Sequence, residues 1–254
     1  MMEGAQRGPF EEQAIGRCGI VLAGGLGTRI RHLAGGVPKP LIEVAGRPFI
    51  EWVLAQLAAT GVSRFVISLG HLAEPACRYF ACRPGDGLCL TTVREPQPLG
   101  TAGAVRFASA ACMARAYLVA NGDSLVIGHV AGAWRLLEDE TVDGVVVGIE
   151  AADTSRYGTL VADSRNRLRA FLEKRPGAGL INAGVYLLRR RMIDEMECRV
   201  PQSLERDAFP RWLAQGAHIL VHRVQGAFLD IGTPETLRQA GDFIQAHFAR
   251  RIPA

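Results

Sequence analysis

The stretch GIVLAGGLGTRI, residues 19–30, decides how this chain is read. A short continuous apolar run that ends in glycines reads as a buried strand turning sharply into a loop. Glycines at that point let backbone N–H groups come close to phosphate oxygens, where a Cβ would obstruct the approach. Two familiar phosphate loops can be tested directly. The dinucleotide fingerprint G-x-G-x-x-G, counted from Gly25, needs a glycine where Ile30 stands, and the P-loop needs a Gly-Lys pair that occurs nowhere in the chain. Both fail. The loop is followed instead by Arg29 and then by VPKPL at 37–41.

Outward from this loop the pattern alternates. FIEWVLAQLAAT (49–60) has helical spacing and stops at Gly61, RFVISLG (64–70) reads as a strand, and LAEPACRYFA (72–81) as a short helix despite Pro75. LCLTTVRE (88–95) is a strand, TAGAVRFASAA (101–111) a helix, AYLVANGD (116–123) a buried strand, VAGAWRLLEDE (130–140) a helix and GVVVGIE (144–150) a strand. Strands alternating with helices give a three-layer, Rossmann-like α/β fold with a mainly parallel sheet, whose ligands bind beyond the carboxyl ends of the strands. After residue 150 the rhythm becomes that of a small mixed part: two strands in 157–174, a third at 180–189, a helix near 203–215, strands at 218–224 and 228–232, and a last helix opened by Thr233-Pro234. Without a Pro/Ser-rich linker or an internal repeat, residues 17–254 read as one domain in two halves, 17–150 and 151–254, which family resemblance would make a nucleotide half and a sugar-phosphate half. Residues 1–16 read as a loose tail.

Composition narrows the function classes. The chain has 254 residues, is 48% hydrophobic and carries a net charge of +4, so a folded domain is expected rather than a disordered one. No apolar run approaches the ~20 residues of a membrane span, and the first sixteen residues contain acids and no apolar core, unlike a signal peptide. Cytoplasmic location is therefore expected, with no membrane partner. The arginines are spread without aromatic interleaving, which argues against a nucleic-acid partner. The six cysteines, at 18, 77, 82, 89, 112 and 198, lack zinc-ligand spacing and read as buried free thiols.

Of 29 basic residues only Lys39 and Lys174 are lysines, leaving 27 arginines. A position that stays lysine in such a chain is a candidate for needing a compact ammonium rather than a planar fork. Pro38 and Pro40 hold Lys39 in extended backbone near the glycine loop, within reach of a phosphate as a point charge. Asp123 and Asp230 each follow an apolar segment. Glu95 and Gln97 flank the turn before Gly100. His71 reads as a surface or core residue, and His218 and His222 share a strand face with no metal pattern around them.

With these residues in view, LAGGLGTR…VPKPL resembles the signature of the sugar-1-phosphate nucleotidyltransferases. Four further motifs follow in that family's order: PLGTAGA (98–104), NGDS (121–124), FLEK (171–174) with INAGVY (181–186), and FLDIGTPE (228–235). The resemblance spans roughly residues 18–245. RYGTL (156–160), INAGVYLL (181–188) and SLERD (203–207) are most similar to the branch that makes GDP-D-glycero-α-D-manno-heptose, with mannose-1-phosphate guanylyltransferases close behind.

The resemblance implies transfer of a nucleoside monophosphate, GTP being the expected donor, to a sugar 1-phosphate, with pyrophosphate leaving. It implies that Leu22, Ala23, Gly24, Gly25, Gly27, Thr28, Gly100, Thr101, Asn121 and Gly122 bind the nucleotide. Arg29 and Lys39 would serve the triphosphate, and Glu173, Lys174 and Asn182 the sugar phosphate. Asp123 and Asp230 would hold Mg2+, a hard cation that suits oxygen ligands. The implied partners are thus these two small substrates, with a homodimer open as the assembly. EKRP at 173–176 departs from the EKP of many relatives. No hexapeptide-repeat extension follows, so acetyltransferase activity is not expected. Other readings are a uridylyl- or thymidylyltransferase, a non-catalytic nucleotide-sugar sensor, a glycosyltransferase (no Asp-x-Asp occurs) and a cytidylyltransferase.

Overall fold

The computed structural model describes residues 16–25, 27–30, 36–172, 176–197 and 200–248. Strand β1 (Arg17–Ala23) runs into the glycine loop; a 3-10 turn at Lys39–Leu41 and a hairpin of β2 (Glu43–Val44) with β3 (Arg47–Pro48) lead to helix α1 (Phe49–Ala58). Then come β4 (Arg64–Leu69), α2 (Ala73–Cys82), β5 (Cys89–Arg94), α3 (Gly100–Ser109), β6 (Ala116–Asn121), β7 (Ser124–Ile127), a 3-10 turn at Val130–Gly132 and α4 (Ala133–Leu136). The remainder is β8 (Gly144–Ala151), β9 (Thr159–Ala162), β10 (Leu168–Leu172), β11 (Gly179–Arg189), α5 (Arg190–Asp194), a π turn at Leu204–Ala208, α6 (Phe209–Ala214), β12 (Ile219–Val224), β13 (Ala227–Asp230) and α7 (Pro234–Phe248).

Strands β6, β1, β4 and β5 pair in parallel, as the alternating pattern requires. The sheet continues from β6 into antiparallel β11, which carries β8 and β9; β12 then pairs in parallel with β8, and β10 closes the other edge on β9. The fold is a three-layer α/β arrangement around a sheet in which most strands run the same way.

Successive side chains of a strand point to opposite faces, so each central strand feeds two cores. Val21 of β1, Leu118 of β6 and Val185 of β11 face one core with α1 and α7; Ile20, Val119 and Tyr186 face the other with α3 and α6. Helix α1 buries Phe49, Ile50, Val53, Leu54 and Leu57 on one stripe, and α6 contributes the fully buried Phe209 and Trp212. Truncating Trp212 to alanine would cost about 3–5 kcal/mol, transfer and cavity together. Thr233 caps α7 by accepting from Thr236 N at 3.3 Å, with Pro234 at the first helical position.

Three expectations need correction. The helix expected over 130–140 shrinks to a 3-10 turn and the four residues of α4. Asp139 accepts from Thr141 N and Oγ1, and the Arg189 guanidinium takes the carbonyls of Leu137, Asp139 and Val142, so these groups are satisfied outside a helix. The helix expected near 203–215 begins as a π turn, where Asp207 N and Ala208 N both reach Ser203 O and Pro210 lacks an N–H to give. The thiols are free, but of the five described only Cys18 is buried: Cys82 and Cys89 are exposed, at the end of α2 and the start of edge strand β5.

Candidate active site

Two clefts open beyond the carboxyl ends of β1 and β6 and share the side chains of Asn121 and Asp123. The smaller, about 340 Å³, is bounded by the end of β1 and its loop (Leu22, Ala23, Gly24, Gly25), by Lys39, by Glu95 and by the turn that opens α3 at Gly100 and Thr101. The larger, about 1050 Å³, runs from Arg29 and Asp123 to Tyr157, Asn182, Glu205 and Asp230.

Close backbone approach explains the glycines. A Cβ on Gly24 would stand 2.5 Å from Glu95 Oε1. Gly100 has φ +69°, and a Cβ there would lie 2.3 Å from Gln202 O, the carbonyl that accepts from Ala102 N. Only glycine lets these two segments touch. Glu95 is held by Ser68 Oγ, donating to Oε1 at 2.9 Å, and by Leu99 N, donating to Oε2 at 3.3 Å, which aims its remaining lone pairs into the smaller cleft.

A non-local ladder builds the charged centre. β13 pairs antiparallel with β7, setting Asp230 opposite Ser124, and Ile231 N donates to Asp123 O at 3.0 Å. Lys39 Nζ donates to Asp123 Oδ2 at 2.5 Å, while Ser124 Oγ donates to Oδ1 at 3.1 Å. Asp230 accepts from Tyr157 OH at 2.8 Å and from Gly232 N at 2.8 Å, with Arg156 3.6 Å away. Burial, then the Asp230 charge, pushes the Tyr157 phenol well above its ordinary range, so it remains a donor. Each carboxylate keeps unused lone pairs toward the larger cleft, and this pair of hard oxygen donors fits an ion that retains most of its waters. Among the described residues no group of three metal-ligating side chains occurs.

The structure thus brings together Leu22, Ala23, Gly24, Gly25, Lys39, Gly100, Thr101, Asn121 and Asp123 around the smaller cleft, and Arg29, Asn121, Asp123, Asn182 and Asp230 around the larger. Gly27, Thr28 and Gly122 line neither; Gly27 sits against Lys39 and Gly122 N donates to Leu22 O at 2.9 Å, so both shape the walls from behind. Glu173 and Lys174 lie outside the described residues, next to Leu172, which lines the larger cleft. Gln97 borders neither cleft. Sequence reading missed Arg156, Tyr157, Ser203, Glu205 and Arg206 as lining residues; the available signal was polar and aromatic side chains inside RYGTL and SLERD.

A glycine loop at a strand end, an isolated lysine beside it and two aspartates carried in from separate strands define the class. The chain belongs to the nucleotidyl transferase family, whose pattern matches residues 18–247. It is 34% identical to "Mannose-1-phosphate guanylyltransferase" of Mycobacterium tuberculosis, covering 89% of this chain and 64% of that protein. It is 30% identical to "Mannose-1-phosphate guanyltransferase 2" of Candida glabrata, covering 92% and 66%. The chain therefore spans just under two thirds of the length of these relatives. Among solved structures, HddC from Yersinia pseudotuberculosis superimposes with a TM-score of 0.77 at 29% identity, over 89% of this chain and 99% of that one, and has also been solved complexed with GMP-PN. Among the described residues no helix is long and apolar enough to cross a membrane.

Proposed function

We propose that the chain joins a sugar 1-phosphate to the α-phosphorus of GTP. A phosphate oxygen of the sugar forms the new P–O bond, the bond between the α-phosphorus and the bridging oxygen breaks, and its electron pair leaves on pyrophosphate. The observation that carries this reading is the shared wall: with a nucleotide in the smaller cleft and a sugar phosphate in the larger, both meet at Asn121 and Asp123. No covalent intermediate is needed, and catalysis reduces to positioning and to positive charge placed where negative charge develops.

Lys39 leaves Asp123 for the α-phosphate, and Arg29, which lines the larger cleft, holds the triphosphate and the departing pyrophosphate. The loop from Leu22 to Thr28 gives backbone donors, the Gly100–Thr101 turn and Asn121 border the nucleoside, and Asn182 meets sugar hydroxyls. Glu173 and Lys174 are proposed for the sugar and its phosphate. Asp123 and Asp230 would hold Mg2+, which when bound supplies Lewis-acid charge to the phosphate oxygens. Residues 17–254 then act as one transferase unit.

Guanine is favoured by Glu95. Guanine offers a ring N–H and a neighbouring amino group, two donors matched to a carboxylate, whereas uracil and thymine offer one. The names of the relatives and the GMP-PN bound to HddC support the same base. For the sugar, SLERD and INAGVYLL favour D-glycero-α-D-manno-heptose 1-phosphate; a second reading, mannose 1-phosphate, is favoured by the relatives' names. A pyrophosphate-release assay with GTP, UTP, CTP and dTTP against heptose, mannose, glucose and N-acetylglucosamine 1-phosphates tests this. Turnover is expected with GTP and a manno-configured sugar; preference for another base, or no turnover with any pair, would overturn it.

A further inference from the structure

An open chain of hydrogen bonds links the lining of one cleft to the lining of the other. Glu205 Oε2 accepts from Thr101 Oγ1 at 3.2 Å and from Ser203 Oγ at 2.8 Å; Oε1 accepts from Tyr186 OH at 2.8 Å. The Tyr186 hydroxyl in turn accepts from Asn182 Nδ2 at 2.7 Å, and Asn182 Oδ1 accepts from Gly184 N at 3.0 Å. Thr101 Oγ1 also accepts from Leu204 N at 2.7 Å, fixing the π turn to the start of α3. Tyr186 is fully buried and borders neither cleft, while Thr101 lines the smaller one and Asn182, Ser203 and Glu205 itself line the larger.

The direction of donation is set from both ends, by the Glu205 carboxylate and by the Gly184 N–H. An ionised carboxylate only accepts, so Tyr186 must donate to Glu205 and has only lone pairs left for Asn182. Asn182 must then turn its amide nitrogen to Tyr186 and its carbonyl to Gly184 N–H. Flipping it would oppose two donors at Gly184 and two acceptors at Tyr186. Burial and the Glu205 charge push the Tyr186 phenol well above its ordinary range, so this donor persists.

We infer that Glu205 is a positioning residue common to both substrate sites: through Tyr186 it fixes which face of the Asn182 amide meets the sugar, and through Thr101 it holds the turn that meets the nucleotide. This rests on the proposed assignment of the two clefts. It gives substitutions at Glu205 and Tyr186 distinguishable signatures, which a merely structural role would not.

The test is calorimetric titration of the full chain with GTP alone and, separately, with mannose 1-phosphate and with D-glycero-α-D-manno-heptose 1-phosphate alone. Tyr186→Phe should weaken the sugar phosphate about tenfold and leave GTP within about twofold; Glu205→Ala should weaken both about tenfold, as loss of a charge-assisted hydrogen bond does. Glu205→Gln should show the reverse split of Tyr186→Phe. Its carbonyl still accepts from Tyr186, but its NH2 cannot accept from Thr101, so GTP weakens about fivefold while the sugar phosphate stays within about twofold. If Glu205→Ala does not melt cooperatively, the opposed splits of the other two variants decide. Loss of one ligand alone in Glu205→Ala, or the same split in Tyr186→Phe and Glu205→Gln, overturns the inference. A wild-type chain that binds neither GTP nor either sugar phosphate overturns instead the reading of the clefts.

Discussion

Replacing Lys39 separates what its charge does from what its shape does. The ammonium lies 2.5 Å from Asp123 Oδ2, with the two side chains 13% and 36% exposed. The Asp123 side chain is open enough to water to be rehydrated once the ammonium is gone, so the pair contributes ~1 kcal/mol to stability, which shifts the melting temperature of a chain this size by roughly 2–4 °C. The same charge placed on a transferring phosphoryl group is worth about 2.7–4 kcal/mol, or 10²–10³ in turnover. Lys39→Ala should therefore lower kcat about 10³-fold while barely moving the melting curve. Lys39→Arg keeps the charge but spreads it over a planar fork in place of the compact ammonium that donates to Asp123 Oδ2. A planar guanidinium there displaces its charge by about an ångström, which costs about 10²-fold. Pyrophosphate release at saturating substrates, beside a circular-dichroism melt, reads both quantities. Arginine retaining kcat within about threefold, or alanine lowering the melting temperature by more than about 10 °C, would refute the reasoning.

Asp123→Asn should raise the Mg2+ concentration for half-maximal rate about tenfold or more with unchanged circular dichroism, and superimposable magnesium titrations would contradict it. Tyr157→Phe should raise the same requirement by a few fold by releasing Asp230. Because the folded phenol is raised above its usual value of about 10, its bond is intact below that pH and lost only as pH rises through the raised value. The ratio of variant to wild type should therefore be constant between pH 7 and 9, and a ratio that drifts across this window would count against it. Glu95→Gln should reduce the preference for GTP over ITP, which lacks the 2-amino group, from about tenfold or more toward unity; an unaltered preference in competition assays would remove Glu95 from base reading.

Much of the fold, the parallel strands above all, is legible because its signals are local. The apolar run of β1, the stripe of α1 and the capping pair Thr233-Pro234 each declare themselves within a dozen residues. What stayed hidden depends on distant partners. Nothing near Asp123 announces that β7 will pair with β13, yet that ladder brings Asp123 and Asp230 together. Tyr157 reads as an ordinary aromatic until Asp230 arrives to accept its hydrogen bond. The 130–140 segment has a helical apolar pattern, and only the guanidinium of Arg189, from β11, shows why its carbonyls turn elsewhere. The π turn arises the same way: Ser203 and Asp207 bond each other locally while Glu205 is drawn to Tyr186 and Thr101.

The ladder of β7 with β13 also has a consequence for the order in which the chain is made. Synthesis proceeds from the amino terminus, so the strands that carry the glycine loop, Lys39 and Asp123 emerge and can collapse well before Asp230 leaves the ribosome. A nascent or prematurely ended polypeptide therefore carries the glycine loop and Asp123 without Asp230 or the strand that pairs with β7.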